Sequence, residues 1–138
     1  MSKALKYTFL IHALVAAILG AALLITPGRF LWAIGWPALL QPLGWENTDP
    51  YLARLLGAAL LALAWSSYRG WRATDRAQVS TLIETEAVFT VLGCGGLLRH
   101  LATLLFVEGW VPAVGWGTMA ILAVFAVAWV VFLFKKDS

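Results

Sequence analysis

Long apolar runs, separated by short clusters of charge, set the pattern of this chain. From Tyr7 to Gly28, between Lys6 and Arg29, there is no lysine, arginine, aspartate or glutamate, and the same holds from Gly109 to Phe134, between Glu108 and Lys135. A bilayer core about 30 Å thick takes roughly 20 helical residues to cross, so these runs predict transmembrane helices over about 7–27 and 111–134. Two middle runs are less clean: 50–69 carries Arg54 and ends on Arg69, and 79–107 carries Glu84, Glu86, Arg99 and His100. Strands of a membrane barrel would alternate apolar and polar residues over about ten positions, and no run here does so. The expected fold is therefore all-α: residues 1–138 as a single polytopic membrane domain, four transmembrane helices in an antiparallel bundle. The first apolar run exceeds the roughly 7–15 residues of a signal-peptide core, and Thr26-Pro27-Gly28 is a poor cleavage site, so that span is read as retained.

Composition narrows the function classes. The 138 residues are 62% hydrophobic and 12% charged, against about 45–50% and about 25% in soluble domains. A small soluble domain buries only about two-thirds of the surface of its unfolded chain, too little to hide this much apolar area. A water-soluble enzyme is excluded, as are disordered, collagen-like and disulfide-stapled chains. Cys94 is the single cysteine, so there is no internal disulfide and no multi-thiolate metal site. The net charge is +3, but no basic run is long enough to track a phosphate backbone, and nucleic-acid binding is not expected.

The basic residues instead set orientation. Lys3 and Lys6 precede the first span, Arg69, Arg72 and Arg76 fill the second connection, and Lys135 and Lys136 follow the last span. The other connections hold Arg29, Glu46, Asp49 and Glu108. The positive-inside rule places both termini in the cytoplasm. The connection from Pro27 to Pro50 is too apolar for open water and too short to span, which fits an interfacial helix anchored by Trp32 and Trp36. Trp45, Trp110 and Trp116 complete an outer aromatic belt, and Trp65, Trp71 and Trp129 are placed towards an inner one.

Within lipid, small residues that let backbones approach are the packing signal. The first span offers Ala13, Ala17 and Ala21 with Gly20 beside them, the second Gly57, Ala58 and Ala62, the third Gly93, Cys94, Gly95 and Gly96, and the fourth Ala113, Gly117, Ala120 and Ala128. Gly57, Gly93, Gly95 and Gly96 are the expected helix-packing glycines, with Cys94 filling a close contact.

Charges inside a span cost roughly 2.5–3.5 kcal/mol each at its centre and usually face the bundle interior, so functional weight falls on the second and third spans. At about 100° per residue, Glu86, Thr90, Gly93, Leu97 and His100 share one stripe, with Glu84 nearly opposite Glu86 and Arg99 about 100° from His100. At about 1.5 Å per residue, His12 lies about 9 Å beyond Lys6, while His100 lies more than about 30 Å beyond Arg76; the histidines are about 20 Å apart in depth. One iron could not hold both, and a lone histidine lacks the carboxylates and thiolates of a metal site, so no metal is expected. Two polar clusters follow: His12, Glu84, Glu86 and Arg69 near the inner face, and Arg54, Arg99, His100, Glu108 and Asp49 near the outer. Each reads structurally as ion pairs holding the helices in register. As a site, Arg54, Arg99 and His100 would bind an anionic headgroup, a quinone carbonyl or an acidic substrate. A Glu86–His12 pair could relay protons, although no polar chain links it to His100. No nucleophile–base motif, phosphate loop or paired carboxylates stand out. Ser66 and Ser67 have no histidine at matching depth, since His100 is at the other face. The chain is not expected to be an enzyme.

The stretch Tyr51-Leu-Ala-Arg54-Leu-Leu-Gly57-Ala-Ala-Leu-Leu-Ala, with Pro27-Gly-Arg-Phe before it, resembles the small bacterial four-helix membrane proteins of DoxX-like and related type. That resemblance implies a four-helix bundle and little else, and assigns no role to any residue; the long tryptophan-rich first connection departs from it, and the expected location is a bacterial inner membrane. The expected function is a non-enzymatic membrane subunit packing against partners in an energy-transducing or transport complex. The alternative is a small homodimeric carrier or a lipid- or quinone-binding bundle. Expected partners are membrane lipids and other membrane subunits or a second copy; no cofactor is expected beyond a bound lipid or quinone.

Overall fold

A computed structural model describes residues 1–33 and 50–135. In chain order these form α1 (Lys3–Ile25), a short α2 (Pro27–Ala33), α3 (Pro50–Arg72), a single 3-10 turn (Ala77–Val79), α4 (Ser80–Glu108) and α5 (Ala113–Phe134). No strand occurs among the described residues. Four of the helices, α1, α3, α4 and α5, are long and apolar enough to cross a membrane. The expected spans and these helices coincide to within a turn or so at their ends. Residues 34–49 fall outside the described residues, so the expected interfacial helix, with Trp36 and Trp45, lies mostly there; α2 is the described part of that connection.

Local chemistry explains where the helices begin and stop. The Ser2 hydroxyl accepts from the Leu5 N–H at 3.3 Å and caps α1, satisfying one of the donors that a helix start leaves open. Thr26 leaves helical geometry while its N–H still reaches the Ala22 carbonyl, and Pro27, lacking an N–H, suits the first position of α2. Gly109 closes α4 in the left-handed region at φ 72°, its N–H bonded to the Leu105 carbonyl at 3.1 Å. A residue with a Cβ would be strained there.

The spans pack as two pairs, α1 with α3 and α4 with α5, and the pairs touch one another over few residues. In the first pair the backbones meet directly. A Cβ added at Gly20 would lie 2.9 Å from the Gly57 carbonyl oxygen, and one at Gly57 would lie 2.8 Å from that of Gly20. Further along, Phe9 of α1 lies over Gly70 of α3. Such close approach is how helices gain dispersion contacts where lipid offers no hydrophobic drive. The buried residues of α3 form one small-residue stripe, Ala53, Gly57, Ala64, Ser67 and Gly70. The two pairs join through Leu5 and Phe9 of α1, Val79, Ile83 and Ala87, and Phe125 and Trp129 of α5. At that end the Arg76 guanidinium also donates to the Phe132 carbonyl.

The expected packing glycines divide. A Cβ at Gly57 would run into the backbone of Gly20 and Leu24 at 2.8 Å, whereas one at Gly93 would sit 3.8 Å from Leu122, an ordinary contact. Gly95 and Gly96 are exposed, with nothing within 4 Å of where a Cβ would stand. They face outward because α4 turns its Ile83, Ala87 and Thr90 side to the interior. Cys94 is half-buried and free.

Candidate functional site

The buried polar and charged side chains among the described residues are His12, Ser67, Glu86 and Thr90. They come from α1, α3 and α4 and meet in one place. His12 Nδ1 lies 2.9 Å from Ser67 Oγ, and the Ser67 hydroxyl donates to Glu86 Oε1 at 2.8 Å. His12 Nε2 lies 3.5 Å from Glu86 Oε2, which closes the ring of three side chains. Thr90, one turn beyond Glu86, donates to the Glu86 backbone carbonyl at 2.7 Å and stays within its own helix.

Each helix presents its residue for a local reason. His12 belongs to the buried face of α1, with Leu5, Phe9, Ala16 and Gly20. Ser67 continues the small-residue stripe of α3 and is fully buried beside α1. Glu86 shares the buried side of α4 with Ile83, Ala87 and Thr90. The fourth span, α5, closes the site with aromatic rings. Phe125 meets the His12 imidazole edge-on at a centroid distance of 4.8 Å, and Trp129 does so at 5.6 Å. Trp129 also packs on Phe9 at 4.8 Å.

The hydrogen-bond directions follow from a proton count. Ser67 has one hydroxyl proton and donates it to Glu86, so its oxygen accepts from His12 Nδ1–H. His12 Nε2 then faces Glu86 Oε2, with one proton able to reside on either. Both placements leave the ring electrically neutral overall, the condition under which buried ionisable groups are least costly. Two buried atoms here, Glu86 Oε2 and the Trp129 Nε1–H, have no hydrogen-bond partner among the described residues.

This geometry corrects one sequence expectation directly. Ser67 does have a histidine at its depth, and that histidine is His12. Phe9 on Gly70 shows that the start of α1 lies beside the end of α3, which brings residue 12 level with residue 67. The small-residue stripe of α3, followed to its end, was the signal that could have found Ser67. Trp129 is corrected as well: it is fully buried in the core, not an inner-belt anchor, because its ring fills the space between Phe9 and His12. Of the expected inner cluster, His12 and Glu86 come together, whereas Glu84 and Arg69 are exposed and stand outside the ring. Of the expected outer trio, Arg54 on α3 and Arg99 on α4 are exposed and His100 is half-buried. No group of three or more metal-ligating side chains occurs among the described residues.

Chemically, the ring can hold a proton and pass it between two acceptors. Ser67 is fully buried and gives its proton to a carboxylate, while nucleophilic attack needs a serine oxygen that a substrate can reach and a base that takes its proton. Compared with known proteins, the chain matches no family model, no curated sequence and no solved structure, so the DoxX-like resemblance rests on its own few residues.

Proposed function

We propose that the chain is a non-enzymatic, multi-pass protein of a bacterial inner membrane, an antiparallel bundle with both termini in the cytoplasm, that works by packing laterally against other membrane-protein subunits. The observation that carries this reading is the outward face of α4. Val88, Leu92, Gly95, Gly96, Arg99, Thr103 and Phe106 recur at helical spacing and are all exposed. The two glycines bare the backbone in the middle of that face, and Arg99 follows one turn later. Lipid chains give a bare helix backbone little reward, whereas a neighbouring helix can approach it closely. An outward arginine within a span is costly unless it snorkels to the surface or meets an acidic partner. Ser67, sealed inside its ring, supports the non-enzymatic part of the reading.

Native mass spectrometry after mild detergent extraction tests it. A hetero-oligomer is expected. It should be lost in Gly96→Leu and weakened in Arg99→Ala, while both variants keep the monomer's helical circular dichroism. A lone monomer or a homodimer from native membranes would overturn the proposal.

A further inference from the structure

We propose that His12, Ser67 and Glu86 form a binding site for a single exchangeable proton inside the bilayer, and that release of this proton loosens the seam between the α1–α3 and α4–α5 pairs. The site is distinct from the outward face of α4 and does not rest on it.

The closed ring accounts for every proton. In the loaded state His12 Nδ1–H bonds Ser67 Oγ, the Ser67 hydroxyl bonds Glu86 Oε1, and one further proton is assigned to the facing pair His12 Nε2 and Glu86 Oε2, which stand at an ion-pair distance of 3.5 Å with Oε2 otherwise without a hydrogen bond. It sits either on the carboxyl group beside a neutral imidazole or on an imidazolium beside a carboxylate, with zero net charge both ways. Release to water leaves a neutral imidazole and a carboxylate. The ring then carries one negative charge, with no lysine or arginine in an ion pair with Glu86 among the described residues. On α5 the neighbours are Phe125 and Trp129, neither of them cationic. On α3, Arg69 is exposed; on α4, Glu84 is exposed and Thr90 spends its hydroxyl on a backbone carbonyl; on α1, Lys6 lies nearly two turns before His12. A lone buried charge is far more costly than a neutral pair.

The ring is also placed to report that change mechanically. It joins α1, α3 and α4 through polar side chains, and the two helix pairs otherwise touch over few residues. Exchange with water needs only a short path. Glu86 lies six residues into α4 and Ser67 five residues from the end of α3, about 8–9 Å of helix from those ends. The ring is therefore a one-sided site near one surface.

The test uses the full chain in phosphatidylethanolamine–phosphatidylglycerol nanodiscs. Imidazole nitrogen resonances are followed by NMR in a His100→Gln background, and the carboxyl stretch by infrared difference spectroscopy, across a pH titration. The expected result is one shared step: the His12 nitrogens and the Glu86 carboxyl change together, and the step disappears from both spectra in Glu86→Gln. Amide exchange in α1 and α4 should rise on the high-pH side of the step in the parent protein and stay flat in Glu86→Gln, whose side chain cannot acquire charge. Separate titration of His12 and Glu86, no titration in the folded protein, or a step without any change in exchange would each overturn the proposal. Helical circular dichroism confirms that Glu86→Gln is folded; if it is not, Ser67→Ala, which retains both titrating groups, should keep the step but separate its two components.

Discussion

Ser67 carries one proton and holds two partners, so its loss is felt twice. In Ser67→Ala, the Nδ1–H of His12 and Oε1 of Glu86 both lose their bond in a place water does not reach. A buried polar group left without its partner costs about 1–3 kcal/mol. Reversible unfolding in mixed micelles should therefore show Ser67→Ala destabilised by more than one such penalty, whereas Ser66→Ala, a half-buried neighbour outside the ring, should change stability little. Trp129 separates ring from polar atom. Trp129→Phe keeps most of the packing on Phe9 and His12 and removes a donor that has no partner among the described residues, so the same assay should show a small change. Trp129→Ala removes the whole ring and should cost about 3–5 kcal/mol. Depth alone grouped His12 and Glu86 with Glu84 and Arg69, and it could not tell which of the four face one another. Ser67 was not in that group, because a serine among alanines and leucines carries no charge to mark it, and its role appears only when three helices are brought together.

At the scale of the helix, the same residue type does opposite things. Gly20 and Gly57 meet backbone to backbone, and a side chain on either would force the helices apart. Gly95 and Gly96 have nothing among the described residues within 4 Å of where a Cβ would stand. Gly20→Ala and Gly57→Ala should each lower stability by about 1–3 kcal/mol, the usual effect of overfilling a tight contact. Gly95→Ala and Gly96→Ala should leave the monomer as stable or slightly more so, since alanine favours the helix by about 0.8–1.0 kcal/mol over glycine. Equal losses at all four positions would contradict this division. Span number and approximate limits could be read from sequence because bilayer thickness and charge clusters fix them. The direction in which each helix turns its small residues could not. On α1 the buried face passes through Ala13, Ala16 and Gly20 rather than Ala13, Ala17 and Ala21, a choice made by the crossing with α3.

For the molecule as a whole, orientation is the property on which the proton site's access and the outward face of α4 both depend. The basic residues Lys3, Lys6, Arg69, Arg72, Arg76, Lys135 and Lys136 gather at the two ends of the chain and in the α3–α4 connection. Phe9 on Gly70, and Arg76 on the Phe132 carbonyl, bring the start of α1, the end of α3, the α3–α4 connection and the end of α5 to one side of the bundle. The polar ring lies towards that same side. The orientation proposed from the positive-inside rule puts that side in the cytoplasm, and the proton would then exchange with cytoplasmic water. Single-cysteine labelling on a Cys94→Ala background decides the matter. With a membrane-impermeant maleimide on intact cells, Ser2→Cys, Thr74→Cys and Lys136→Cys should react only after permeabilisation, and Glu108→Cys should react before it. The reverse pattern would move the proton site to the external face and with it the pool it senses. Labelling of Thr74→Cys and Lys136→Cys from opposite sides would be incompatible with α4 and α5 both crossing the bilayer, and the four-span bundle itself would have to be abandoned.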